Sequence, residues 1–308
     1  MSNNQKRETV TIAGGSGLVG SRLAQLLSKD FHVKILTRNP KPASGNVSYY
    51  KWDIGAKYID PKALETDHII SLTGAGIADE RWSKARKAEL IASRVDSTLL
   101  LQKGLKDGGI RVKTFLAASA IGYYGCRADE VLEESSILGN GFLAKCSHEW
   151  EHASYQLAAF TDRLAIFRIG VVLSTKDGAL PKMLMTKNLG VYNYFGDGNQ
   201  YYAWVHIDDL CQMFIQALSD EKYEGIINAV APEPIKNKDL MKGVMAGAGS
   251  SGLLLPAPCF ALRIALGEMA DVILNSTRVV PKRLEEIGFR YQFPQVEGAV
   301  ADLLRRKI

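Results

Sequence analysis

Along the first two thirds of the chain, apolar positions switch repeatedly between a short continuous run and a helical period. The β-branched run Val10-Thr11-Ile12 stops at Gly14, after which Val19, Leu23, Leu26 and Leu27 recur at helical spacing. His32 to Arg38 reads as a second strand closed by Asn39-Pro40, and Val47 to Trp52 as a third ending at Asp53. His68 to Leu72 is a fourth strand, running into Thr73-Gly74-Ala75-Gly76. A long helix follows over Arg81 to Leu105, with Leu90, Ile91, Val95 and Leu99 on one side. Val112 to Ala118 predicts a fifth strand closing at Ser119, Gly141 to Ala159 another helix, and Leu164 to Leu173 a sixth strand. Strands alternating with helices predict βαβ units and a parallel sheet.

The second half is less regular. A glycine-bearing loop, Gly196 to Gln200, leads to Tyr201–Leu210 and a helix through Leu218; Ile226 to Val230 predicts a short strand stopped by Pro232 and Pro234. From about Leu254 to Ile308 the period is helical, with one break at Tyr291-Gln-Phe-Pro294. No internal repeat or low-complexity linker is visible. The expected architecture is α/β, a doubly wound parallel sheet over residues 1–175 that takes back strands from about 200–230, with a smaller α/β substrate lobe over 176–308.

Composition narrows the class without changing that picture. At 308 residues, 46 % hydrophobic and 23 % charged, the chain has the make-up of a soluble globular protein. Its net charge of +5 is spread without a basic block, which argues weakly for anionic ligands and not for nucleic acid. Met1 to Glu8 is polar and has no secretory signal. Leu253 to Leu274 is interrupted by Pro256, Pro258, Arg263, Glu268 and Asp271, so no membrane span is expected. Four cysteines without close pairing (Cys126, Cys146, Cys211, Cys259) suit free thiols in a cytoplasmic protein.

The first turn carries the strongest chemical signal. Gly14, Gly15, Gly17 and Gly20 fall between a strand and a helix. There, backbone N–H groups and the helix dipole can meet a pyrophosphate with no side chain in the way. Gly15-x-Gly17-x-x-Gly20 fits the dinucleotide fingerprint of a Rossmann fold. The end of the second strand selects the cofactor. An acid there would bind ribose hydroxyls and repel a 2′-phosphate, whereas this chain has Thr37-Arg38, suited to a phosphate monoester. NADP is the expected cofactor.

Several stretches together resemble the extended short-chain dehydrogenase/reductases: Gly14-Gly-Ser-Gly-Leu-Val-Gly20, Arg168-Ile-Gly-Val-Val-Leu173, Gly196 to Gln200, and Trp204 to Leu210. More narrowly, Arg81-Trp82, Glu89 to Arg94, Ser119 to Gly125, Phe142-Leu-Ala, Trp150-Glu151 and Val280 to Phe289 resemble the atypical "epimerase family" branch. That branch ends in a small domain of unknown function, here about 254–304. The resemblance implies an NADP-dependent oxidoreductase or epimerase acting on a small molecule. It implies cofactor contacts at Gly14, Ser16, Gly17, Leu18 and Val19 around the pyrophosphate, and at Thr37 and Arg38 on the 2′-phosphate. It adds Leu72 and Thr73 after the fourth strand, Glu89 and Arg94 on the next helix, and Val172 beside the nicotinamide. Pairing through the two long helices, as a homodimer, is a further implication.

Typical members use Ser, Tyr and Lys. The serine holds the substrate oxygen, the tyrosine exchanges its proton, and the lysine one helical turn on lowers the tyrosine pKa. Ser119 stands where the serine belongs, but the Tyr-x-x-x-Lys position reads Phe142-Leu-Ala-Lys-Cys146, with Lys145 one residue out of register. Tyr124 or Tyr123 either supplies a phenol near Ser119 or packs the strand exit; Glu149 or Glu151 are alternatives if buried in the cleft. His148-Glu-Trp-Glu-His152 matches the zincin pattern but has no third ligand, so no metal is expected. His206, Asp208 and Asp209 could shuttle protons, but an acid capping the helix at Leu210 is the simpler reading. Two functions stay open: an NADP-dependent oxidoreductase whose substrate pocket is walled by Gly178–Gly196 and the C-terminal segment, and a non-catalytic NADP(H)-binding regulatory protein.

Overall fold

The computed structural model describes residues 7–306. Residues 1–6, within the polar stretch read as lacking a secretory signal, and residues 307–308 lie outside that range.

An eight-stranded sheet forms the centre. Its strands are β1 (Thr9–Ala13), β2 (His32–Thr37), β3 (Val47–Asp53), β4 (Tyr58–Ile59), β5 (His68–Ser71), β6 (Val112–Ala120), β7 (Thr161–Ile169) and β8 (Gly225–Ala229). They lie in the order β8-β7-β6-β5-β1-β2-β3-β4. Every neighbouring pair is parallel except the hairpin β3–β4. The chain therefore runs outward from β1 in one direction and then returns to build the other side from β5. A crevice opens at this reversal, beyond the carboxyl ends of β1 and β5. The register aligns the exits, because Ala13 is level with both Leu36 and Ser71. Gly14, Thr37 and Leu72 thus leave the sheet along one edge.

Helices cover both faces, which is why strands such as His68–Ser71 are buried along their whole length. On one face, α1 (Leu18–Leu27) contributes Leu23 and Leu27 to a cluster shared with α4 (Ile207–Ser219), through Leu210 and Phe214. On the other, α2 (Lys84–Gly108) packs Leu101 and Leu105 against Ile69, Phe115 and Ile166, beside α3 (Phe142–Tyr155). The first cluster continues into α5 (Asn237–Gly247) and a C-terminal helix at Val296–Arg305, through Leu240, Val244 and Val300.

Four details depart from the sequence reading. The expected strand Leu164–Leu173 breaks at Gly170, where a Cβ would meet the Ala203 backbone, and Val171–Leu173 pairs instead with Trp204–His206. Leu253–Ala257 is a strand paired in parallel with Val191–Phe195, although its leucine-rich sequence reads as helical. The helix Asn237–Gly247 has no counterpart in the sequence reading. Lastly, α4 begins at Ile207 and is capped by His206, whose Nδ1 accepts from Asp208 N–H at 3.1 Å.

The two aspartates expected to cap that helix do other work. Asp209 accepts the backbone N–H groups of Gln292 and Phe293 at 2.8 and 3.0 Å, fixing the C-terminal break. Asp208 accepts from Arg22 on α1 (2.7 and 3.0 Å) and from Arg306 beyond the last helix (2.7 Å). Burial alone would raise the Asp208 pKa, but the two guanidinium groups hold it down to about 2. Burial lowers His206 to about 4, so the folded protein keeps it neutral. In the unfolded chain these groups titrate near 3.8 and 6.5. The unfolded state thus takes up more protons as the pH falls, and stability is expected to decline from about pH 6.5 to 4 through His206. It declines again below 3.8 as Asp208 loses its charge. Urea midpoints measured down this range should show the first fall, and His206→Gln should flatten it; an equally steep fall in the variant would refute the assignment.

Candidate functional site

The turn after β1 is built by glycines that the fold itself demands. Gly14 has φ +84°, and a Cβ there would lie 2.9 Å from the Leu72 carbonyl. A Cβ on Gly20 would run into the Gly14 carbonyl oxygen, so α1 could not approach the turn. Gly17 differs. Its nearest neighbour for an added Cβ is the Gly14 oxygen at 3.4 Å, an ordinary contact. Gly17 is also the N-cap of α1 and offers no side-chain cap. The unoccupied side of Gly17 and the first-turn N–H groups of Leu18 and Val19 together suit a pyrophosphate. The residues therefore fit a dinucleotide.

From this turn a cavity of about 510 Å³ extends over the ends of β2 and β3, the size of a small-molecule site. It brings together Gly14, Ser16, Thr37, Arg38 and Thr73 from the sequence-derived set. Asn39, Trp52, Asp53 and Ile54 also line it, and sequence reasoning did not assign them. Their signal was present, since Trp52-Asp53 closes a strand as Thr37-Arg38 does. Asp53 Oδ1 accepts the Ala56 N–H at 3.0 Å, and Thr37 Oγ1 accepts the Asn39 N–H at 3.3 Å. No protein hydrogen bond claims the Arg38 guanidinium among the described residues.

The loop after β5 forms the crevice's other lip and is pinned to α2. Thr73 Oγ1 hydrogen-bonds Ser97 Oγ at 2.7 Å, and Ser93 Oγ accepts the Ala75 N–H at 3.0 Å. Arg94 donates to the carbonyls of Ala75 (3.1 Å) and Leu90 (2.7 Å), lies 5.1 Å from the Trp150 ring, and presses on Gly74. Arg86 donates to the Gly76 carbonyl and to Glu89, each at 2.8 Å. Arg94 is half-buried without a carboxylate, and desolvation lowers its pKa. Glu89 and Arg94 thus lie outside the cavity; Glu89 is paired with Arg86, and Arg94 acts through the loop it holds. Val172 pairs with Val205, and its carbonyl lies close to Gly178, which also faces Leu18.

Ser119 and Tyr124 come together, but in a sealed network rather than an open cleft. Ser119, Tyr124, Glu151 and Arg168 are 2, 0, 3 and 3 % exposed. Ser119 Oγ donates to Glu151 Oε1 at 2.6 Å, and Arg168 clamps both oxygens of that carboxylate at 2.9 Å. The Tyr124 hydroxyl accepts from Arg168 at 2.9 Å and donates to Asn228 Oδ1 at 2.7 Å. Tyr123 stacks on the Arg168 guanidinium at 3.5 Å. Burial pushes the Tyr124 pKa up to about 12. A phenol that is enclosed, doubly bonded and harder to ionise is a poor proton donor at neutral pH. Of the two readings of Tyr124, this enclosure agrees with packing at the strand exit. Glu151 is the buried glutamate of the two alternatives, and Arg168 takes up its charge.

At the usual Tyr and Lys positions, the Phe142 ring packs edge-on against Trp82 at 4.8 Å and Cys146 is buried under α2. A second, small cavity of about 40 Å³ lies beyond β6 and β7, lined by Ile121, Val171, Tyr201, Tyr202, Ala203, Val272, Asn275 and Thr277. Of the two segments expected to wall a substrate pocket, the C-terminal one contributes Val272, Asn275 and Thr277 to this cavity, and 178–196 contributes none. The His148 and His152 rings lie 6.5 Å apart and tilted, and among the described residues no group of three or more His, Cys, Asp or Glu could hold a metal ion. No described helix is long and apolar enough to cross a membrane.

Comparison with known proteins agrees with this geometry. Residues 10–229 match the NAD dependent epimerase/dehydratase family, and residues 257–303 match a domain of unknown function, DUF1731. An epimerase family protein of Mycobacterium leprae is 32 % identical over 305 residues, covering 98 % of this chain and 97 % of that protein. A chloroplastic Arabidopsis thaliana homologue of SDR39U1 is 31 % identical, covering 99 % and 89 %. The crystal structure of human epimerase family protein SDR39U1 with NADPH superposes with a TM-score of 0.85 at 28 % identity, covering 96 % of this chain and 98 % of that one. With its parallel sheet, glycine turn and C-terminal lobe, the chain belongs to the NAD dependent epimerase/dehydratase family.

Proposed function

We propose that this protein is an NADP(H)-dependent oxidoreductase of the epimerase type, acting on a small carbonyl, alcohol or nucleotide-sugar-like substrate. The observation that carries the reading is the cavity joining the glycine turn to Thr37-Arg38, with an unclaimed guanidinium where an NAD-selective site would place an acid. Similarity to a human protein crystallised with NADPH supports it. The first-turn amides of α1 would hold the pyrophosphate, and Thr37 and Arg38 the 2′-phosphate. The pinned Thr73–Gly76 loop would fix the ribose on the nicotinamide side. Bound there, the cofactor supplies hydride exchange at its nicotinamide ring. Ile121 and Val171 border the small second cavity. The proton is not drawn from Tyr124, whose hydroxyl is enclosed.

One observation favours a second reading, a non-catalytic NADP(H)-binding regulatory protein. Phe142 and Cys146 remove the acid–base pair, and nothing in the Ser119–Arg168 network restores it. One pair of measurements separates the readings. Trp52 lines the cavity, so its fluorescence should report NADPH binding, with NADPH favoured over NADH. Loss of reduced-nicotinamide absorbance is then followed across aldehydes, ketones and nucleotide sugars. Turnover with any class supports the enzyme; tight NADPH binding with no turnover across the panel assigns the regulatory role. Failure to bind either dinucleotide overturns both.

A further inference from the structure

Beyond Arg38, which lines the main cavity, a cation that no motif marks reaches the Arg38 backbone from the next strand. Lys51 sits on β3 directly across from Thr37 in the strand register. Adjacent strands lie about 4.8 Å apart, so the two residues are neighbours on the sheet. Lys51 Nζ donates to the Arg38 carbonyl oxygen at 2.7 Å, which sets the ammonium against the backbone from which the Arg38 side chain departs. An ammonium has three donors, and this contact uses one. Among the described residues neither Lys51 nor Arg38 forms an ion pair, although many surface lysines and arginines of this chain do. Lys41 lies over the same face of β3, with its Nζ 4.7 Å from the ring of Tyr49, two residues before Lys51. Asp53 is the one carboxylate lining this cavity, and its Oδ1 already accepts the Ala56 N–H.

Two or three exposed cations gathered without a fixed counter-charge repel one another unless an anion joins them. A phosphate monoester, carrying about −1.5 to −2 at neutral pH, matches that deficit; a ribose hydroxyl does not. We propose that Lys51 is the second cation of the 2′-phosphate site, binding the phosphate with Arg38 and selecting NADP(H) over NAD(H). This rests on the NADP(H) reading above. Lys51 contributes a point charge, whereas Arg38 can offer a planar two-donor fork. Because both are exposed, their combined effect is screened by salt.

The test is calorimetric titration of NADPH, NADH and adenosine 2′,5′-bisphosphate into the full chain and its Lys51→Met, Lys51→Arg and Arg38→Met variants. Lys51→Met is expected to weaken NADPH and the bisphosphate by roughly tenfold, the loss of one charge-assisted contact, with NADH within about twofold. Lys51→Arg should retain most of the affinity. Two results overturn the assignment: an unchanged NADPH affinity in Lys51→Met while Arg38→Met weakens it, or an equal loss for NADH, which makes Lys51 a support for the strand end. If Arg38→Met also leaves NADPH untouched, the NADP(H) reading itself fails.

Discussion

Arg168→Met is expected to destabilise the folded protein by about 3–5 kcal/mol, the usual consequence of leaving one member of a buried ion pair without its partner. Arg168 and Glu151 are both almost fully enclosed, and Arg168 donates to four acceptor atoms: both carboxylate oxygens, the Tyr124 hydroxyl and the Glu134 carbonyl. Glu151 keeps only the Ser119 hydroxyl once the guanidinium is gone. The double variant Arg168→Met, Glu151→Leu removes the stranded charge and should recover part of the loss. Urea unfolding of the two single variants and the double variant measures the coupling. Additive losses would mean that the pair does not act as a unit. The network reaches past the sheet, because Asn228 Nδ2 donates to the Val280 carbonyl and Glu134 Oε1 accepts the Arg283 N–H. The Arg168→Met variant should therefore also loosen the segment that follows Arg278.

Arg38→Glu should weaken NADPH binding by about a hundredfold or more while leaving NADH within about threefold, because it replaces a charge-assisted contact by like-charge repulsion at one phosphate. The carboxylate would stand where NAD-selective sites use an acid to bind the ribose hydroxyls, so NADH affinity has a reason to hold or rise. Equilibrium titration of both cofactors in one buffer checks the ratio. A variant that kept the wild-type preference would remove Thr37-Arg38 from the specificity site. The side chain is exposed at the cavity rim, so the substitution should have little effect on folding.

The inner part of the parallel sheet was legible because three of its strands run into residue types that punctuate structure: Gly14 after β1, Asn39-Pro40 after β2, Thr73-Gly74 after β5. Such local signals depend on backbone stereochemistry and survive without knowledge of the fold. The break at Gly170 had a weaker signal, a lone glycine inside an apolar run. Arg168-Ile-Gly-Val-Val reads as one strand, and only the approach of the Ala203 carbonyl separates its two halves. Leu253–Ala257 was misread for a similar reason, since its pairing with Val191–Phe195 spans about sixty residues of chain. In the site, the glycines and Thr37-Arg38 could be assigned from local motifs. The fate of Ser119 and Tyr124 could not, because the groups that enclose them, Glu151, Arg168 and Asn228, come from three distant elements.

The lip formed by Thr73 to Gly76 has a kinetic meaning. Its carbonyls at Ala75 and Gly76 are held by Arg94 and Arg86, and its hydroxyl and amide by Ser97 and Ser93. Under the proposed function, a loop pinned in this way in its binding geometry would impose no population penalty, so apparent and intrinsic affinities would coincide on that side of the crevice. Association there would then be governed by diffusional encounter and nearby charge, and the lifetime of the complex by how fast the contacts across the crevice let go.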